Sequence, residues 1–264
     1  PPPRPIFLMI RRPRRSSPLY SSAASDVFKR QLLFLLALVE AGADIVELGV
    51  PFSDPMADGP IIQKAYERAL IHKTSLKDIL DMVSEFRKKN TKTPIFLMGY
   101  LNPVEALGYE MFADLASNAG VDGVLLVDLT SQEAADAATL FNDRQLDTIF
   151  LLSPTTSTKR IKSISKIAKG FLYYVSLKGV TGSNKLDTNE VKFKINTIRE
   201  HTDMPVGVGF GIKTAEDASA VASFSDAVII GSSLVSCIEN SLNDYERIEK
   251  NICNTIKKIR TAID

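Results

Sequence analysis

Cysteine and histidine are scarce in this 264-residue chain, which holds two of each: Cys237 and Cys253, His72 and His201. The cysteines lack metal-ligand spacing and are too few for a disulfide framework. Two histidines leave little from which to build a histidine metal site. Charge of one sign is also lacking, with 32 Lys and Arg against 31 Asp and Glu. No global field therefore draws nucleic acid or an anionic membrane. Long apolar runs are missing too, since Phe34 to Val39 stops far short of membrane-spanning length. These absences point to a soluble intracellular protein. What is present is core material: 45% hydrophobic residues over this length suit one large α/β domain.

Residues 1–31 differ from the rest. They hold six prolines and clustered arginines, with no acid before Asp26 and neither helical nor strand periodicity over any useful length. An organelle transit peptide is one reading, being Arg- and Ser-rich and poor in acids, and a basic tail is another. A third is a non-native scar, because SSAASDVFKRQ resembles a translated sequencing adapter. The segment is therefore set apart as non-native or disordered, and its basicity carries no nucleic-acid assignment.

From Leu32 onward the pattern is regular. A helix ends at Ala41–Gly42, where glycine suits a helix stop. Seven apolar runs follow as strands: Asp44–Val50, Pro94–Tyr100, Asp122–Val127, Asp147–Leu152, Phe171–Leu177, Pro205–Phe210 and Asp226–Gly231. Continuous rather than alternating runs fit parallel strands covered on both faces. Helical patterns separate them at Ser75–Lys89, Val104–Asn118, Gln132–Asn142, Lys159–Ala168, Asn189–His201 and Ala215–Ser223, and a long helix near Asp244–Ile263 closes the chain. This βα rhythm implies a parallel sheet with right-handed crossovers. A doubly wound sheet lacks its G-x-G-x-x-G after the first strand. Seven strands with a helix before the first and after the last fit a TIM (β/α)8 barrel over residues 32–264 whose first strand is missing. No linker divides it.

The stretch Ala41–Gln63, AGADIVELGVPFSDPMADGPIIQ, places Glu47 on a buried strand and Asp58 on the loop beyond it. Two acids facing one substrate from two sides suit general acid–base work. Taken alone, they also fit a satisfied core carboxylate and a turn former. In a barrel, chemistry belongs at the C-terminal ends of the strands, with a phosphate site near the last loops. Glycine clusters fall there: Gly179 to Ser183, Gly209-Phe210-Gly211 and Gly231-Ser232-Ser233. Each alone is an ordinary tight turn; together they let backbone N–H groups approach an anion.

Residues 32–264 resemble the alpha subunit of tryptophan synthase. The resemblance rests on LVEAGADIVELGVPFSDPMADGPIIQKA, PIFLMGYLNPV, GVTGSN, GVGFGI and IIGSSLV, in the family's order and spacing; the first motif is the most specific. It implies a barrel that cleaves indole-3-glycerol phosphate to indole and glyceraldehyde 3-phosphate, a carbon–carbon lyase of tryptophan biosynthesis. It also implies no cofactor or metal in this subunit, and a pyridoxal-phosphate-dependent beta subunit as partner in an alpha2-beta2 complex. The expected location is the cytoplasm, or the plastid stroma in a photosynthetic eukaryote.

The resemblance further implies Glu47 as the acid–base residue, with burial expected to raise its pKa toward neutrality. Asp58 accepts the indole N–H and stabilises positive charge on the ring. Tyr100, Leu125, Val127 and Phe210 form an apolar slot for the ring, and Tyr173 supports Glu47 and the glycerol. Gly182, Gly211, Gly231 and Ser232 hold phosphate, while Thr181 rides a closing loop. Each also has a plainer reading: Leu125, Val127 and Phe210 suit any barrel core, and Thr181 an ordinary loop. Lys178 reads as solvent-exposed; Tyr66, Glu67 and Arg68 as one turn of a surface helix; Asp54, Pro55 and Asn102 as loop residues, facing the beta subunit in the family.

Nothing in residues 1–31 matches the family's first helix and strand. The strands Asp44–Val50 and Asp226–Gly231 are thus expected to have open edges, an aggregation liability, and the polypeptide to fold poorly or be nearly inactive. A non-catalytic barrel that only binds and activates a beta subunit is the alternative function. Indole-3-glycerol-phosphate synthase is the third, but it needs a strand lysine that this chain lacks.

Overall fold

The computed structural model describes residues 6–10, 22–130, 133–176, 187–209, 211–241 and 244–264. Strands β1 (Ile6–Ile10), β2 (Ile45–Gly49), β3 (Ile95–Gly99), β4 (Gly123–Leu126), β5 (Asp147–Thr148), β6 (Phe150–Leu152), β7 (Leu172–Val175), β8 (Val206–Gly209) and β9 (Ala227–Ile230) form one sheet in the order β5-β4-β3-β2-β1-β9-β8-β7-β6. All its pairings are parallel. The segments β5 and β6 are successive parts of one run interrupted at Ile149, so they share one place and the sheet closes on itself. The result is a (β/α)8 barrel.

Its first strand corrects the expectation of open edges. Backbone pairing sets Ile6–Ile10 between the two strands that lacked a neighbour, with Met9 opposite Glu47 on one side and Phe7 opposite Ile229 on the other. The helix α1 spans Ser22–Glu40 and begins well before Leu32. Proline and arginine clusters around a five-residue apolar run hid the strand, because five residues alone carry little periodic signal.

The helices run α2 (Pro60–Ile71), α3 (Leu76–Arg87), α4 (Leu101–Leu107), α5 (Tyr109–Ala119), α6 (Ala134–Asp143), α7 (Thr158–Ile164), α8 (Thr188–Arg199), α9 (Ala215–Ala222), α10 (Ser232–Glu239) and α11 (Tyr245–Ile263). Ser75 caps α3 and Thr214 caps α9 in reciprocal capping boxes with Asp78 and Asp217. The pattern Val104–Asn118 proves to be two helices, broken at Gly108, whose φ of +89° is left-handed. Asn102 lies in α4 rather than in a loop. The reading of Tyr66 and Arg68 as a surface turn is also corrected, since both are buried in α2.

Alternation along the strands separates two cores. Val46, Leu48, Leu97, Val124, Leu172 and Val228 face outward and pack in a cluster with the helices. Phe96, Met98, Leu125, Phe171, Tyr173 and Ile229 face inward and form the barrel interior, joined by Ile62 and Tyr66 from α2. Filled interiors of this kind are packed cores, not pores.

At the N-terminal ends of the strands, aspartates meet arginines from the helices. Arg87 donates through Nη2 to Asp122 at 2.5 Å, through Nε to the Gly120 carbonyl at 2.7 Å and through Nη1 to the Thr93 carbonyl at 2.7 Å. Asp122 also accepts the Ile95 N–H at 2.7 Å, which ties two strands together. Arg199 and Asp226 repeat the device, with Val206 donating at 2.9 Å, and Arg260 reaches Asp44 at 2.7 Å. Burial raises the pKa of Asp147 at this end, an effect Lys169 opposes and Asp122 reinforces. No helix among the described residues is long and apolar enough to cross a membrane.

Candidate active site

Glu47 sits midway along β2. Its neighbours Val46 and Leu48 belong to the outer core, so strict alternation turns Glu47 to the barrel interior. Its exposure is 0%, which makes it the most deeply buried acid of the described residues. A carboxyl group placed among Phe96, Met98 and the other interior side chains is costly to bury and contributes nothing to packing that an apolar residue would not.

Asp58 lies on the loop between β2 and α2, and that loop is internally braced. The Asp58 N–H donates to the Pro55 carbonyl at 3.0 Å, and the Asp58 carbonyl accepts from Gln63 Nε2 at 2.9 Å. Its carboxylate accepts from the Tyr100 hydroxyl at 2.8 Å, and that hydroxyl accepts the Ala57 N–H at 3.0 Å. Tyr100 itself is buried, and its ring stacks on Phe52 with centroids 5.1 Å apart. The next residue, Leu101, opens α4 and donates its N–H to Asp128 at 2.7 Å. Three successive loops at the C-terminal end of the barrel are thereby joined through the end of β3.

Leu125 is fully buried on the inner face, and Val127 is half-buried against the same cluster. Tyr173 also points inward and lies directly over Gly209: a Cβ there would fall 2.7 Å from the phenol oxygen. Gly211 follows with a left-handed φ of +80°. The turn it makes brings Ile212 to α10, where the Ser233 hydroxyl donates to the Ile212 carbonyl at 3.1 Å. Gly231 is the N-cap of α10 and carries no side-chain cap. Its carbonyl accepts from Leu234 and Val235, so the Ser232 and Ser233 N–H groups in the first turn have no carbonyl of their own helix to reach. An uncapped helix start beside a glycine turn is suited to an anion. Thr181, Gly182 and Phe210 lie outside the described residues, as does Lys178.

The structure thus groups Asp58 with Tyr100, Tyr173 with Gly209, and Gly211 with Gly231 and Ser232, all at the C-terminal end or inner wall of one barrel. Two supporting residues escaped the sequence: Phe52, which the proline-flanked motif did contain, and Asp128, for which no local signal exists.

Residues 19–264 match the sequence model of the tryptophan synthase alpha chain. The chain belongs to that family. It is 57% identical to the tryptophan synthase alpha chain of Marinobacter nauticus over 242 residues, 91% of this chain and 90% of that one. The crystal structure of tryptophan synthase subunit alpha from Legionella pneumophila superposes with a TM-score of 0.86 at 39% identity, covering 99% of this chain and 93% of that one. A chain of the tryptophan synthase complex from Pyrococcus furiosus gives a TM-score of 0.81 at 31% identity, covering 97% of each. The family match starts thirteen residues before Leu32 and takes in all of α1. Membership makes the chain a lyase of tryptophan biosynthesis.

Proposed function

We propose that the chain cleaves indole-3-glycerol phosphate by a retro-aldol reaction, with Glu47 as proton shuttle and Asp58 as the partner of the indole N–H. The observation that carries this reading is the fully buried Glu47 on the inner wall, below a rim where a second acid is held in a fixed position. Protonation of the indole ring at C3 makes that carbon tetrahedral and leaves positive charge on the ring nitrogen. The glycerol hydroxyl on the attached carbon then loses its proton, the bond from C3 to that carbon breaks, and its electron pair restores the aromatic ring. Indole and an aldehyde, glyceraldehyde 3-phosphate, are the products. Glu47 is suited to giving and taking these protons, because burial favours the neutral form of a carboxyl group. Asp58, accepting from the ring N–H, stabilises the charge that develops there.

Leu125, Val127 and Tyr173 supply walls for the flat ring and the glycerol. The Gly211 turn and the start of α10 at Gly231 and Ser232 take the phosphate; Thr181, Gly182 and Phe210 are assigned to loop closure, phosphate and ring. The subunit needs no cofactor for this chemistry, which is proton transfer and bond cleavage alone. A pyridoxal-phosphate-dependent beta subunit would consume the indole, in an alpha2-beta2 assembly located in the cytoplasm or plastid stroma.

Glu47→Gln and Asp58→Asn test the reading through indole release from indole-3-glycerol phosphate. Both variants should keep the fold and lose most activity. A barrel that serves only to activate a beta subunit would release no indole even as wild type, yet would still raise beta activity.

A further inference from the structure

We infer that Tyr100 is a positioning residue for Asp58, and that its hydroxyl sets both the direction and the ionisation of that carboxylate. The inference rests on the proposed role of Asp58. The Tyr100 hydroxyl is one atom shared between two contacts. It donates to the Asp58 carboxylate at 2.8 Å and accepts the N–H of Ala57, the preceding residue, at 3.0 Å. The N–H consumes a lone pair of the phenol oxygen, so its proton is directed at the carboxylate rather than left to rotate.

The phenol is itself immobilised. Its ring is 1% exposed and stacks on Phe52 at 5.1 Å, and its backbone continues into α4, whose first N–H is held by Asp128 at 2.7 Å. The frame belongs to β3 and α4, whereas Asp58 belongs to the loop after β2. Position is thus imposed on the loop from a neighbouring strand. Donation from a hydroxyl also favours the charged carboxylate. A charged acceptor is what a ring nitrogen acquiring positive charge requires, and a neutral acid in its place would lose most of that stabilisation.

Tyr100→Phe removes the hydroxyl and keeps the stacked ring, which separates positioning from packing. In the free protein, the Asp58 carboxyl followed by carbon NMR should titrate higher in Tyr100→Phe than in wild type, because the charged form loses a donor. In turnover, kcat should fall roughly 10- to 100-fold with KM little changed, and the acidic limb of the pH–rate profile should move upward with the NMR value. An unchanged Asp58 titration in a folded Tyr100→Phe variant would overturn the proposal whatever the activity. If the titration shifts but neither wild type nor variant releases indole, the positioning stands and the reaction assigned to the site fails.

Discussion

Replacing Gly209 with alanine should disturb the inner wall where it meets Tyr173. The added Cβ would lie 2.7 Å from both the oxygen and Cε1 of Tyr173 and 2.9 Å from Cζ. Normal carbon contacts begin near 3.5 Å, so the ring must retreat by about 1 Å. It has little room, being 4% exposed with Phe171 packed beside it at 6.3 Å. Gly209 is not among the residues of positive φ, so alanine adds no backbone strain and the penalty is purely steric. Overpacking of this kind costs about 1–3 kcal/mol. Urea unfolding of Gly209→Ala in the wild-type and Tyr173→Ala backgrounds isolates the contact, because the cavity left by Tyr173→Ala cancels in the cycle. The cost should nearly vanish once the ring is gone. Tyr173→Phe should not relieve it, since Cε1 and Cζ clash as much as the hydroxyl. Equal penalties in the wild-type and Tyr173→Ala backgrounds, within about 0.5 kcal/mol, would mean that the Tyr173 ring is not what the added methyl meets.

Other expectations concern the shell of the barrel. Burial, with Glu190 adding to it, raises the Tyr174 phenol from its usual value near 10 to about 12. The stability this brings is fully present below pH 10 and is lost as the pH rises through about 12, because the unfolded chain releases the proton first. Wild type should therefore lose about 2–3 kcal/mol more than Tyr174→Phe between about pH 8 and about pH 12, read from urea unfolding at each pH. Arg87→Ala leaves the Gly120 and Thr93 carbonyls without their donor and should cost about 2–4 kcal/mol in the same assay. Arg87→Lys should restore little of it, since one ammonium cannot reproduce a planar fork of donors; full recovery by lysine would mean that charge alone matters there.

Much of the fold was legible because parallel strands announce themselves as continuous apolar runs between helical patterns. The runs at Asp44, Asp122, Asp147 and Asp226 all became strands, and the aspartate that opens each marks the lower rim. Three features were hidden for physical reasons. The strand at Ile6–Ile10 is short and sits among prolines and arginines. The break at Gly108 depends on a left-handed backbone that one glycine inside a helical pattern does not reveal. The buried face of α2 was masked by the charged residues Lys64, Glu67 and Arg68, of which Arg68 is drawn inward toward Glu239 at 3.7 Å. At the site, the motif around Glu47 and Asp58 was readable by type and spacing. The part played by Tyr100 was not, because a hydrogen bond spanning 42 residues has no local signature.

In the proposed reaction a fully buried Glu47 moves protons at the indole ring. Its most direct test is indole release from indole-3-glycerol phosphate by wild type and Glu47→Gln, with the fold of each checked by circular dichroism. Glutamine keeps the size and hydrogen-bonding reach of the side chain but cannot deliver and recover a proton. Wild type should release indole, and Glu47→Gln should be folded and lose at least about 100-fold in kcat. Wild-type turnover in the folded Glu47→Gln variant would mean that Glu47 is not the proton shuttle.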